Sequence, residues 1–389
     1  MQRKFTALNG LRIFAAFSVV CFHYGTLAAS FPALPRFAQN LIENGTIALP
    51  FFYVLSGFVL THAYSNRGPA PIQKRGFYYA RVARLFPAYL VAFVLFLPIA
   101  VEKYLRHPAA NVDGPHTYVL GGLLSLFVLQ AWTPLSQAWN GPGWSLSVEA
   151  FFYFIFPLVL PTIVKMRPTR LAILLGGLWF PMISLTVAHE HNLIPPSVWS
   201  GYIMYQPLFW MPTFLLGMAT YRLAVQWSLV PDRIATVISV TSLAALLVLA
   251  GLLSPPIGGD FLVNGGAAPL IALIILAYSH PRCLSSRLLG SAPLEFLGVA
   301  SYVIYIIQAP LWHIFRAVTD HLAQAIGQPV VKDWQFVLYL VFLVGTALLI
   351  QRFVERPAQH YLSRKGAAAR TAPRTRSADA APVEQLAAR

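Results

Sequence analysis

The chain has 389 residues, of which 57% are hydrophobic and only 11% charged, with a mean hydropathy of +0.62. A soluble domain carries about 25% charged residues, so this composition excludes a water-soluble globular fold. It implies an all-α, polytopic bundle of transmembrane helices with the lipid bilayer as its surroundings. The net charge of +15 raises nucleic acid as a partner, but the basic residues sit in short loops between apolar runs, as the positive-inside rule describes, and nucleic-acid binding is set aside.

In chain order, the first element is the apolar stretch Leu8 to Tyr24, LNGLRIFAAFSVVCFHY, which carries two ionisable residues, Arg12 and His23. Eleven positions at 100° per residue end about 20° past three full turns, so both lie on one stripe of a helix, roughly 16 Å apart along its axis. They cannot touch, but they can serve two ends of one long substrate. The preceding MQRKFTALNG and the lack of a small-residue cleavage site predict a retained helix rather than a signal peptide.

Further apolar runs fall at 46–64, 82–101, 147–164, 171–188, 202–221, 234–253, 262–279, 294–315 and 335–353. With the run at 8–27 they predict ten spanning helices. An eleventh run, 118–131, is short and ends in the Pro- and Gly-broken TPLSQAWNGPGW, which predicts a re-entrant or interfacial helix. If it does not cross, the outside receives only Arg36, Lys103, Arg106, Arg316 and Lys332, and nearly all other basic residues are cytoplasmic, as are both termini. Residues 1–360 then form one transmembrane domain. Residues 361–389, rich in Ala, Arg and Pro, form a disordered cytoplasmic tail. Cys21 and Cys283 make no disulfide framework, and no metal-ligand spacing is present.

An ionisable group within a membrane span is a functional candidate by default. On this topology Arg12 lies towards the inner face and His23 towards the outer face. Arg81 and Arg84 (YYARVARLFP), with Lys74 and Arg75 before them, make a cationic fork suited to phosphates, or else an ordinary inner-face anchor. Glu149, in GPGWSLSVEAFFYF, is expected at the depth of His23, where a carboxylate orients an imidazole; the alternative is a helix-start carboxylate with Ser145 or Ser147 as the cap. Trp144 fits an interfacial aromatic. Ser56 and Gly57 in PFFYVLSGFVLTH indicate close helix packing. Tyr302, Tyr305 and Gln308 lie in one helix; Tyr305 and Gln308, three apart, share a face and, with Trp144 and Ser147, are groove candidates, while His313 is read as lying off that face.

Together these motifs resemble the acyltransferase-3 family of multi-spanning membrane O-acyltransferases. LNGLRIFAAFSVVCFH is similar to its opening Arg, ten residues, His motif; FFYVLSGFVLT, RVAR, WSLSVEAFFYFIFP, GVASYVIYIIQAP and VERPAQ follow in the family's order. The resemblance implies transfer of an acyl group, commonly acetyl, from cytoplasmic acyl-coenzyme A to a hydroxyl of a glycan, lipid or small molecule, in a bacterial inner membrane. By the same resemblance Arg81 and Arg84 bind coenzyme A phosphates, Arg12 assists along the channel, and His23 is the catalytic base or acyl carrier with Glu149 as partner. Asn9 and Gln308 depart from the family, which often has Asp and His at these places. The competing reading is a transporter or flippase whose pathway is lined by Arg12, His23 and Glu149.

Overall fold

The computed structural model describes residues 5–28, 34–65, 72–106, 115–254, 259–327 and 332–362. The expected disordered tail therefore lies, from residue 363 onward, outside the described residues. Among the described residues every regular element is helical: α1 (Thr6–Ala28), α2 (Arg36–Glu43), α3 (Ala48–Ser65), α4 (Lys74–Arg106), α5 (Pro115–Leu126), α6 (Trp144–Lys165), α7 (Pro168–Glu190), α8 (Pro196–Val198), α9 (Pro207–Trp227), α10 (Asp232–Leu252), α11 (Gly259–Phe261), α12 (Ala268–Tyr278), α13 (Leu284–Leu289), α14 (Ala292–Ile326) and α15 (Lys332–Ile350). Short 3-10 and π turns join several of them.

Eight of these stretches, built on α1, α3, α4, α6, α7, α10, α14 and α15, are long and apolar enough to cross a membrane. A ninth is broken. Gly259–Gly266 and Ala268–Tyr278 meet at a bend of 58°, where the run at 262–279 was expected to be one continuous span. The break lies at Gly265, whose φ of 107° only glycine adopts readily, and Trp179 Nε1 of α7 donates to its freed carbonyl at 2.9 Å. The expected run at 202–221 becomes α9, preceded by a π turn at Trp199–Ile203, and falls outside the set that length and hydropathy select. Among the described residues, eight helices, or nine if the bent pair is one span, meet the length and apolarity of a span, where about ten were expected. At 12 residues α5 is about 18 Å long, too short for a hydrocarbon core of about 30 Å. It is followed by a coiled excursion back to α6, in keeping with a non-crossing segment. The chain is a multi-pass membrane protein.

Two helix pairs form the centre, and glycine sets both. A Cβ on Gly57 of α3 would collide with the carbonyl oxygen of Phe214 in α9, and one on Gly217 would collide with that of Val54, so α3 and α9 cross backbone to backbone. Likewise Gly298 of α14 abuts the Asn9 carbonyl of α1. Small residues drive such crossings because lipid supplies no hydrophobic force between helices. Rings fill the remaining space: Phe152 stacks on Phe214 at 4.6 Å, and Tyr53 meets Trp210 at 5.3 Å.

Proline inside α14 shapes the loop before α6. Pro310 has no N–H, so the carbonyl of Ile306 loses its helical donor. Asn140 Nδ2 takes that place at 3.1 Å. The chain then enters α6 through Gly141–Gly143, with Gly143 as the N-cap and no side-chain cap, so neither Ser145 nor Ser147 serves as one.

Candidate active site

Helices α1, α3, α4, α6 and α14 enclose a cavity of about 520 Å³. Arg12 enters it from α1, Arg81 and Arg84 from successive turns of α4, Glu149 and Tyr153 from α6, and Tyr302 and Tyr305 from α14. Its lining begins at Phe5, His62 and Glu295. From Glu295 to Tyr305 along α14 it extends about 15 Å.

The polar groups in it are held by one another. Tyr153 donates to Glu149 Oε1 at 2.5 Å, one turn back on α6. The Arg81 guanidinium lies over the rings of Phe77 and Tyr153, 5.6 Å from each centroid. Tyr302 donates to the Leu85 carbonyl at 2.7 Å, tying α14 to α4 beside Arg84. Arg12 and Arg84 lie in the field of Glu149 and Glu355. Among the described residues, the buried Nε atoms of Arg12 and Arg81 have no hydrogen-bond partner. A buried guanidinium donor left open is costly unless a ligand satisfies it, and planar N–H forks match phosphate oxygens.

At the end of α14 nearer Gln308, two of the lining residues form a hydrogen-bonded pair. Ser145 Oγ lies 2.8 Å from Tyr305 Oη and donates to the Pro142 carbonyl at 2.9 Å. Beyond it, a second space of about 50 Å³ is lined by His23 and Tyr24 of α1, Gln308, Trp312 and His313 of α14, and Tyr339 of α15. Gln308 Nε2 donates to the Tyr305 carbonyl at 2.9 Å, and His23 lines the same space as Gln308. Three residues, about 4.5 Å of helix rise, separate Tyr305 in the first cavity from Gln308 in the second.

The structure therefore brings Arg12, Arg81, Arg84, Glu149, Tyr302 and Tyr305 together and places His23 and Gln308 one step beyond. Glu149 does not line the space of His23, contrary to the expectation that it would lie beside the imidazole. Its place in α6, one turn before Tyr153, turns it towards the arginines. Tyr305 and Gln308 line different cavities, while His313 shares that of Gln308, because residues 308 and 312 and residues 309 and 313 form two adjacent rows on α14. Lys74 and Arg75 are exposed in the first turn of α4, outside the cavity, with Arg75 over the Tyr79 ring. Trp144 is buried against Tyr205 and Trp210. Ser147 is buried and accepts from the Ala131 amide at 3.4 Å.

Three participants were not singled out from sequence. Glu355 sits in the π turn Gln351–Glu355, buried and within electrostatic reach of Arg84 and Arg12, in the VERPAQ stretch that is legible in sequence as a motif only. Tyr153 is one helical turn beyond Glu149, a spacing that does carry the signal. Ser145 appears in sequence as a cap rather than as the partner of Tyr305.

A family model described as an acyltransferase domain matches residues 5–351. This chain belongs to the acyltransferase-3 family. Members similar to it include the Bacillus subtilis protein YrhL, 27% identical over 388 residues, which cover 92% of this chain and 55% of that protein. The peptidoglycan O-acetyltransferase OatA of Listeria monocytogenes is 25% identical over 387 residues, 92% of this chain and 56% of that protein. The acyltransferase MdmB of Streptomyces mycarofaciens is 32% identical over 175 residues, 43% of this chain and 42% of that protein. The chain spans about half the length of the first two relatives. No solved structure matches it.

Proposed function

We propose that this protein is a membrane O-acyltransferase that moves an acetyl group from cytoplasmic acyl-coenzyme A to a hydroxyl of a peptidoglycan-type glycan. The observation that carries this reading is the three-arginine cavity set end to end with the space of His23 along one helix face. The phosphates of the donor sit on Arg12, Arg81 and Arg84, with Glu149, Tyr153 and Glu355 keeping the guanidiniums in place. The donor's thioester arm, roughly 20 Å long and comparable to a helix of about 13 residues, reaches past Ser145 and Tyr305 to His23. Its length matches the roughly 16 Å between Arg12 and His23 on α1.

His23 then acts as general base: it takes the proton of the acceptor hydroxyl as the oxygen attacks the thioester carbonyl, and the coenzyme A thiolate leaves and is reprotonated. Glycan relatives and the polytopic fold support an inner bacterial membrane as the setting, with the donor on one side and the acceptor on the other. Residues 1–360 form the catalytic domain.

The test uses purified protein, radiolabelled acetyl-coenzyme A and a soluble peptidoglycan fragment. Wild type labels the fragment, and His23→Ala loses at least about 10²-fold in rate while staying folded. Wild-type rates in His23→Ala contradict the mechanism. Movement of the glycan across vesicles without donor, and no labelling with it, would favour a transporter.

A further inference from the structure

We propose that His313 is the acceptor-binding residue: its imidazole, in the wall of the small space that His23 also lines, hydrogen-bonds the hydroxyl-bearing arm of the acceptor and holds that arm there. The role deepens the acyltransferase reading given above and rests on it.

The space has walls from three helices. Trp312 of α14 meets Tyr24 of α1 at 4.6 Å and Tyr339 of α15 at 5.0 Å, edge to face in both cases. Tyr339 in turn donates to the Gln308 carbonyl at 2.7 Å. Rings interlocked in this way, all three buried, hold their places, so the space is formed before anything enters it. Its volume is about 50 Å³. A water takes roughly 10–15 Å³ of such space, so about three to five water-sized groups fit. One hydroxyl-bearing arm can enter; a sugar ring cannot, and stays outside.

Two imidazoles line this space, His23 from α1 and His313 from α14. The proposed chemistry uses the first and leaves the second without a task. His313 is half-buried, its ring 6.3 Å from that of Phe96 in α4 and edge to face with it. Among the described residues its ring nitrogens make no hydrogen bond. A histidine that serves only the packing of this protein looks different. His280 is fully buried, with Nε2 3.0 Å from the Val230 carbonyl and the other ring nitrogen accepting from the Arg282 amide at 3.4 Å.

The chemistry follows. A neutral imidazole has one N–H donor and one lone pair, and a hydroxyl both donates and accepts. With neither nitrogen spent within the protein, His313 has a donor and an acceptor to offer the oxygens of an incoming polyhydroxylated arm. Partly buried polar groups gain most from a ligand that satisfies them, because the alternative is an unmade bond. An arm held by His313 lies in the space that His23 lines, and that is the placement a base needs to reach a hydroxyl proton.

The experiment compares wild type with His313→Leu, which fills a similar volume and removes both nitrogens. It reads the acceptor KM for acetyl transfer to a soluble peptidoglycan fragment, together with the dissociation constant of acetyl-coenzyme A. In His313→Leu the acceptor KM is expected to rise about tenfold, the loss of one or two hydrogen bonds, with the donor constant unchanged. A wild-type acceptor KM in folded His313→Leu overturns the proposal. An equal loss of donor affinity also overturns it, since that marks a purely structural residue. A second measurement keeps the native side chain. In ¹⁵N-histidine-labelled protein in detergent, the ring-nitrogen signals of His313, assigned by their loss in His313→Gln, are expected to shift when the fragment is added and not when acetyl-coenzyme A is added. Signals that stay in place at saturating fragment mean that water alone fills the space, and they overturn the proposal even if His313→Leu does not fold. If wild type transfers no acetyl group, the acyltransferase reading fails, while the nitrogen signals still decide whether His313 meets a hydroxyl-bearing ligand.

Discussion

Glu149 is the residue whose surroundings most change the account of the chemistry. It bonds to Tyr153 and faces Arg12 and Arg84, in a different cavity from His23. Glu149→Gln is therefore predicted to raise the KM for the donor with little change in kcat, measured by steady-state kinetics; a pure kcat defect would return it to the side of the histidine. Truncating Arg81 or Arg84 removes hydrogen bonds to charged groups, each of about 1.5–3 kcal/mol, so each alanine variant should raise the donor KM about tenfold to a hundredfold. Tyr305→Trp puts a larger ring between the two cavities and is predicted to lower kcat for transfer, measured by steady-state kinetics. The ionisable residues were legible in sequence because charge is rare in a membrane span, and Arg12, Arg81, Arg84 and His23 all stand at the two cavities. Their pairing was not legible. Helical spacing tells which residues share a stripe of one helix, but the meeting of α1, α4, α6 and α14 is a matter of tertiary packing, such as the close crossing of α1 and α14 at Gly298. Gln308 illustrates the limit: its departure from the family pattern is visible in the sequence, and the carbonyl that orients its amide is not.

At the scale of elements, the crossing of α3 and α9 positions the site, because α3 lines the cavity and α9 backs it. Gly57→Leu and Gly217→Leu each push a side chain into a facing backbone carbonyl. Overpacking of this kind costs about 1–3 kcal/mol or more. Both variants are predicted to melt at lower temperature in detergent, whereas Gly345→Ala on α15, which meets nothing within 4 Å, should not. Sequence hydropathy placed most spans within a few residues, since each run must cover a bilayer. It failed at 262–279, where a backbone break at Asn264 and Gly265 interrupts a stretch whose average apolarity is that of a span. It failed also at Lys74 and Arg75, which share the charge of the fork but begin α4 two turns away from the cavity. Average apolarity does not register a change of chain direction, and charge does not register which way a helix end points.

For the whole molecule, the short α5 and the loop anchored by Asn140 on Ile306 are in keeping with a segment before α6 that does not cross the membrane. On the topology expected from the charge bias of the sequence, Gln137 lies outside and Thr169 inside. In a chain with Cys21 and Cys283 replaced by alanine, a membrane-impermeant maleimide should label Gln137→Cys and not Thr169→Cys in sealed right-side-out vesicles; the reverse pattern would invert the topology. On that proposed topology the arginine cavity faces the cytoplasm and His23 the other side. In the proposed function, Arg12, Arg81 and Arg84 form the donor site. The most direct test is equilibrium binding of radiolabelled acetyl-coenzyme A to purified wild type, Arg84→Ala and His23→Ala. Saturable binding by wild type and His23→Ala that Arg84→Ala weakens about tenfold or more is the predicted result. Equal affinity in all three, or none in folded wild type, would contradict it.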